Sequence, residues 1–113
     1  MIDDVFCKIV AGEIKADVVF KDKDCWVIKD INPQAPVHLL IFPTEHHLNI
    51  HDFEGRQELL GKALIIADKV AHDMKLDNGY RLILNEGEDG GKLVPHLHIH
   101  LLGGKKLGPK IVR

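Results

Sequence analysis

Three histidines, His96, His98 and His100, alternate with Leu97, Ile99 and Leu101 in the 113-residue chain. In an extended strand alternate side chains share a face, so the imidazoles form one row and the aliphatic side chains the opposite one. Such a row is costly inside a protein, because each ring brings a donor and an acceptor that need partners once buried. Two chemistries make use of it. The first is metal ligation, since two histidines at i, i+2 can both reach a zinc ion at ~2.0–2.1 Å. Three cannot easily share one ion, because at ~3.3–3.4 Å of rise per residue the outer two start about 13 Å apart. A zinc site would draw a further ligand from His38, His46, His47 or His51. The second is nucleophilic catalysis at phosphorus, in which a neutral imidazole attacks, carries the phosphoryl-type group and yields it to water. One histidine attacks, an acceptor holds its other ring nitrogen as a donor, and neighbours about 7 Å away along the strand engage other phosphate oxygens. The adjacent stretch 85–92, NEGEDGGK, offers Gly87, Gly90 and Gly91 as places where backbone N–H groups can approach an anion.

These side chains need a scaffold, and the pattern supplies one. Residues 3–11 put Val5, Phe6, Ile9 and Val10 at helical spacing behind Asp3 and Asp4, with Gly12 as a stop. The β-rich runs 18–21 and 25–29 flank Asp22-Lys23-Asp24, the pattern of a hairpin. Residues 30–36 hold two prolines and form an ordered loop. A third strand over 37–42 is apolar on both faces and so central. A long amphipathic helix runs over 52–76, with Asp52 as its N-cap and Asp77-Asn78-Gly79 as its stop. Strands over 80–84 and 95–102 complete an α+β domain over 1–113: a five-stranded, mainly antiparallel sheet with one short N-terminal helix and one long helix. His46, His47 and His51 flank a loop and helix start, and His72 lies among charges; all four are expected to be structural or solvent-facing. Trp26 and Tyr80 are expected in strand packing.

Composition excludes other classes. Fifteen basic against 17 acidic residues give a net charge of −2 and no basic stripe, so nucleic acid is not the expected partner. The apolar runs 39–42 and 63–67 fall far short of the ~20 residues that cross a bilayer, and residues 1–4 lack the basic start of a signal peptide. Cys7 and Cys25, in no metal-ribbon spacing, are expected as buried or spare thiols in a reducing, cytoplasmic setting.

The run His96-Leu97-His98-Ile99-His100-Leu101-Leu102 resembles the defining motif of the histidine triad (HIT) superfamily, three histidines alternating with apolar residues. Asp30 to His38 (DINPQAPVH), Asn85 to Gly91 (NEGEDGG) and Gly103-Gly104 are similar to the Hint branch, the protein kinase C inhibitor-like purine nucleoside phosphoramidases. The resemblance implies that His98 attacks the α-phosphorus of an AMP or GMP conjugate, that His100 contacts the phosphate, and that His96 and His38 support them. It implies that Asp30 holds the ribose hydroxyls and Ile31 neighbours the base. By the same resemblance Phe6, Ile9 and Leu40 line a purine pocket, and Asn85, Gly91 and Lys92 stand on the phosphate side. It implies no metal or other cofactor, and a homodimer joined through 52–76 and the strand from Tyr80, where Ile65 and Ile66 add an apolar face. Two positions depart from the pattern: Lys92 replaces a common glutamine, and Leu93 a common serine thought to help the leaving group depart. Lys92 is then either a cation near the phosphate or a solvated lysine. The C-terminal segment, which shapes leaving-group preference in that branch, is brief. A different class, a nucleotide-binding scaffold with little turnover, suits Leu93, and a zinc-binding protein is the third reading.

Overall fold

The computed structural model describes residues 4–109. Helix α1 spans Val5–Val10 and is capped by Asp4, whose carboxylate accepts the Cys7 N–H at 2.9 Å. Asp3, expected at this helix start, lies outside the described residues. Strands β1 (Val18–Lys21), β2 (Cys25–Lys29), β3 (Val37–Pro43), β4 (Tyr80–Leu84) and β5 (Ile99–Gly103) form one sheet in the order β1-β2-β3-β5-β4. Every neighbouring pair is antiparallel. The Asp22-Lys23-Asp24 hairpin turn is closed by Asp22, whose Oδ1 accepts the N–H groups of Asp24 and Cys25.

β3 is central, and both of its faces are buried. Leu39 and Ile41 join Val27, Ile99 and Leu101 under helix α2 (Gln57–Asp73), while Leu40 and Phe42 join Phe6, Ile9 and Ile28 beneath α1. Ala63, Ala67 and Ala71 recur every fourth residue on the buried face of α2 and let its backbone approach the sheet. The two cores therefore lie on opposite faces of one sheet. The histidine row shares the α1 face.

Four expectations are corrected. Asp52 does not begin α2; it sits in a separate 3-10 turn, Ile50–Phe53, where its Oδ2 accepts the Leu48 and Asn49 N–H groups. Gly55, at φ 84°, then breaks the path before α2 starts at Gln57. The helix ends at Asp73, short of 76, because Lys75 turns left-handed at φ 60° and the Leu76 N–H folds back onto the Ala71 carbonyl. β5 begins at Ile99 rather than 95. The register that pairs Ile41 with Ile99 would set Pro43 opposite Leu97, and proline has no N–H to extend the ladder. The Leu97 N–H instead donates to the His47 carbonyl. Finally, Ile66 belongs to the core, only 6% exposed, whereas Leu64 and Ile65 are the apolar side chains that α2 leaves open.

Gly103 and Gly104 close the sheet end by being small. A Cβ on Gly103 would stand 2.7 Å from Leu76 Cδ1, and one on Gly104 2.9 Å from Pro36 Cβ.

Candidate active site

The face beneath α1 gathers His38 from β3, His96 and His98 from the approach to β5, and His100 from β5 itself. Leu40 pairs with His100 and His38 with Leu102 across the β3–β5 ladder. This register brings together residues 60 positions apart. His96 is fully buried, His38 and His98 are buried, and His100 is half-buried.

The hydrogen bonds assign the ring protons. His98 Nδ1 lies 2.7 Å from the His96 carbonyl, an acceptor only, so Nδ1 carries the proton and Nε2 is left with its lone pair. The Gln34 N–H donates to His38 Nδ1 at 3.0 Å, which places the His38 proton on Nε2. From there it faces His100 Nδ1 at 2.9 Å and Asp30 Oδ2 at 3.2 Å. His100 Nδ1 is then an acceptor, and its Nε2–H remains a donor. A ring with an open lone pair and a neighbour with an open N–H stand with ring centroids 5.1 Å apart.

Electrostatics keep both rings neutral. Burial pushes His98 below the ordinary imidazole value, and the charges of Lys92 and His96 add to the effect. Burial likewise pulls His100 down to about 4, with His98 and His38 as further causes.

Phe6 lies under this group, its ring 5.1 Å from His98 and stacked 4.5 Å from Phe42. Phe6, Ile9 and Leu40 are buried with Ile28 and Phe42 as an apolar floor, whereas Ile31 stands 91% exposed at the rim. Asp30 is half-buried, with Oδ1 accepting the Asn32 N–H. Asn85 lines a cavity with His38 and His100, and its Nδ2 donates to the Gly90 carbonyl. The Gly-rich loop uses its amides internally: the Gly91 N–H donates to the Glu88 carbonyl and the Lys92 N–H to Gly87. Those two amides are thus not free for an anion, and Gly91, at φ 83°, serves the loop's shape. Lys92 is neither a free cation nor a solvated lysine. Its buried ammonium donates to the Leu48 carbonyl and pairs with Glu86 Oε1 at 3.2 Å, tying the loop to residues 48–49. Leu93 is 92% exposed.

A second cluster lies behind His96. Asp4 Oδ2 stands 3.0 Å from His96 Nδ1 and 2.8 Å from His46 Nδ1, with Cys7 Sγ 3.6–3.7 Å from both rings. His96 Nε2 faces the Pro43 carbonyl at 2.9 Å. Burial alone would raise the Asp4 carboxyl, but the Cys7 N–H and the His96 ring hold it below the usual range. The ligand-type atoms of Asp4, Cys7, His46 and His96 all lie within 4.8 Å of one another, and those of Asp30, His38 and His100 form a second such group. His96 and His100 thus belong to different groups and do not converge. Sequence reasoning missed Asp4 and Cys7 as neighbours of the triad, and offered His46 only as one of four histidines that could complete a zinc site. The Asp4–Cys7 spacing of i, i+3 on a helix start was visible, but nothing local tied it to His96.

A single histidine row running into β5, an apolar floor and a Gly-rich loop on a five-stranded sheet with two helices define the histidine triad class. The HIT domain family matches residues 11–107, and the chain belongs to that family. A HIT-like protein of Chlamydia muridarum, not functionally characterised, is 47% identical over 105 residues, 92% of this chain and 83% of the relative. A HIT family hydrolase from Clostridium thermocellum superposes with a TM-score of 0.92 at 45% identity, covering 99% of each chain. A HIT family hydrolase from Legionella pneumophila gives 0.89 at 47% identity over 94% of this chain and 96% of that one. A histidine triad nucleotide-binding protein from Candida albicans gives 0.81 at 28% identity over 94% and 82%. These neighbours support hydrolase activity in general. Among the described residues no helix is long and apolar enough to cross a membrane.

The depressed values set a pH window. Unfolded imidazoles titrate at ~6.5, and both folded values lie lower, so the stability that neutral His98 and His100 contribute is fully present above that pH. It is lost as pH falls from there toward about 4, where His100 protonates in the folded state. Proton–nitrogen NMR over an acid titration should give a His100 midpoint near 4 and a His98 midpoint below the free-imidazole value. A His100 midpoint at or above that value contradicts the burial account.

Proposed function

We propose that the protein hydrolyses purine nucleoside 5′-phosphoramidates or related nucleotidyl conjugates through a nucleotidyl-histidine intermediate on His98. The observation that carries this reading is the His98 tautomer: Nδ1–H bound to the His96 carbonyl, with Nε2 neutral and unprotonated. Nε2 attacks the α-phosphorus as the bond to the leaving group breaks, and the departing amine takes its proton from solvent, since the exposed Leu93 has none to give. The His100 Nε2–H donates to a phosphate oxygen. Water then attacks phosphorus, the P–N bond to His98 breaks, and the nucleoside monophosphate is released. Asp30 receives the ribose hydroxyls, and Ile31, exposed at the rim, receives one face of the base. The nucleotide-binding relative from Candida albicans supports the substrate class.

A homodimer fits the uncovered parts of the fold. β4 is a sheet edge, and Leu64 and Ile65 are 45% and 68% exposed on α2. A second reading for a different part of the molecule is structural zinc at Asp4, Cys7, His46 and His96, a mixed donor set of the number and type of a tetrahedral site. It is compatible with the first, because His98 Nε2 is not among the donors.

Metal-stripped protein should turn over an adenosine 5′-phosphoramidate, and His98→Gly should abolish this while still binding AMP. Retention of more than about a tenth of wild-type kcat, a loss under ~1.4 kcal/mol, would remove His98 as nucleophile. For the dimer, light scattering should give twice the 12.7 kDa chain mass, and Ile65→Glu should shift it toward monomer; a monomeric wild type at micromolar concentration rejects the interface. For zinc, elemental analysis should find one ion per chain, with Cys7→Ser and His46→Ala each losing it and lowering Tm. A metal-free protein whose Tm ignores added zinc rejects that site.

A further inference from the structure

Beyond His100, away from the apolar floor, the sheet face opens into a cavity of about 320 Å³ lined by Gln34, His38, Arg81, His100, Lys105 and Lys106, with no carboxylate among the described residues on its walls. Arg81 belongs to this face by register. It pairs with Leu102, two residues from the Ile83–His100 pair, so its side chain shares a face with His100 about 7 Å along the sheet. The Arg81 Nη2 donates to the Gly108 carbonyl, while Nη1 is buried and, among the described residues, is the one buried side-chain nitrogen or oxygen left without a hydrogen-bond partner. A buried guanidinium N–H without an acceptor is costly, and its planar fork matches a carboxylate or phosphate. Lys105 and Lys106, exposed beside it, add two more positive charges to a chain whose net charge is negative.

We propose that this groove receives an anionic leaving group, so that the preferred substrates are nucleotidyl conjugates whose departing half carries a carboxylate or a phosphate. The inference rests on the reading of His98 as nucleophile at the α-phosphorus. A phosphate held at His98 and His100 has its nucleoside over the Phe6 and Leu40 floor, and the remaining substituent on phosphorus is directed across His100 toward Arg81. Arg81 on the wall and the two exposed lysines supply the positive charge that the anion meets. Its contact exists in ground state and transition state alike, so the preference is carried mainly by KM.

The test compares three AMP derivatives differing only in the departing group: a neutral alkylamine, an amine bearing a carboxylate, and phosphate, as in ADP. The wild type should show kcat/KM at least about tenfold higher for one or both anionic derivatives than for the neutral one, about 1.4 kcal/mol. Which of the two exceeds the neutral derivative identifies the anion. Arg81→Gln, and separately Lys105→Gln with Lys106→Gln, should bring the anionic-to-neutral ratio toward one, with the change in KM. Lys69→Gln, on the exposed side of α2, should keep the ratio. Raising ionic strength should lower it. Equal rates for all three derivatives in the wild type, or an unchanged ratio in both variants, overturn the groove assignment while leaving His98 in place. If no derivative turns over, the phosphoramidase reading fails, and calorimetry still decides the groove: in His98→Gly protein ADP should bind about tenfold tighter than AMP, and adding Arg81→Gln should erase that difference. Equal affinities for the two ligands overturn it.

Discussion

A buried imidazole needs a partner that fixes its ring protons, and the arrangement around the triad follows from meeting that demand at His38, His96 and His98. His96 has the Pro43 carbonyl at one nitrogen and the Asp4 carboxylate at the other. His98 uses the His96 carbonyl, and His38 takes the Gln34 N–H. Two of these four partners are main-chain groups of β3 or of the segment entering β5, and a third is the main-chain N–H of the loop before β3. The β3–β5 register therefore does more than hold the sheet together. It sets His38 Nε2 against His100 Nδ1, and so leaves the His100 Nε2–H as an open donor.

The same demand distinguishes His98 and His100 from His96. His96 is enclosed on all sides by Phe6, Phe42, His46 and Asp4, and its nitrogens are committed inside the protein. His98 and His100 each keep one nitrogen uncommitted toward the open face. Their burial disfavours the charged form, and the proximity of Lys92 to His98, and of His98 and His38 to His100, acts in the same direction. Desolvation thus keeps both rings neutral at neutral pH. It acts through the floor of Phe6, Ile28, Leu40 and Phe42, so the short helix α1 keeps water from beneath the rings.

Charge is distributed unevenly over this face. Lys92, placed by sequence on the phosphate side, is spent on the Leu48 carbonyl and Glu86 and clamps the Gly-rich loop. The cations that remain open to the cavity, Arg81, Lys105 and Lys106, come from β4 and from the segment after β5. A net charge of −2 conceals this local excess, because the compensating acids lie elsewhere, among them Asp22 and Asp24, which hold Lys62 on the opposite side of the sheet.

Periodicity alone determined that the chain forms two helices and five strands, that β3 is central, and that three imidazoles share one face. These are local consequences of side-chain spacing along a backbone with a period of 2 or 3.6 residues. Family resemblance pointed to Asp30, His38 and Asn85 as neighbours of the triad, and the structure gathers them around His100. What tertiary structure decided was everything that depends on a partner remote in sequence. Pro43 ends the β3–β5 ladder only because register sets it opposite Leu97, so the strand expected from 95 begins at Ile99. Asp52 is spaced to cap the long helix, and Gly55 leaves it inside the separate 3-10 turn. Ile66 and Leu64 are both apolar, and only the angle at which α2 meets the sheet sent one inward and the other outward. Asp4, Cys7 and His46 meet His96 across 92, 89 and 50 positions, distances over which no spacing in the chain carries a signal. Their meeting is a property of two sheet faces and a helix start packed in space, where contact is set by shape and burial rather than by proximity along the chain.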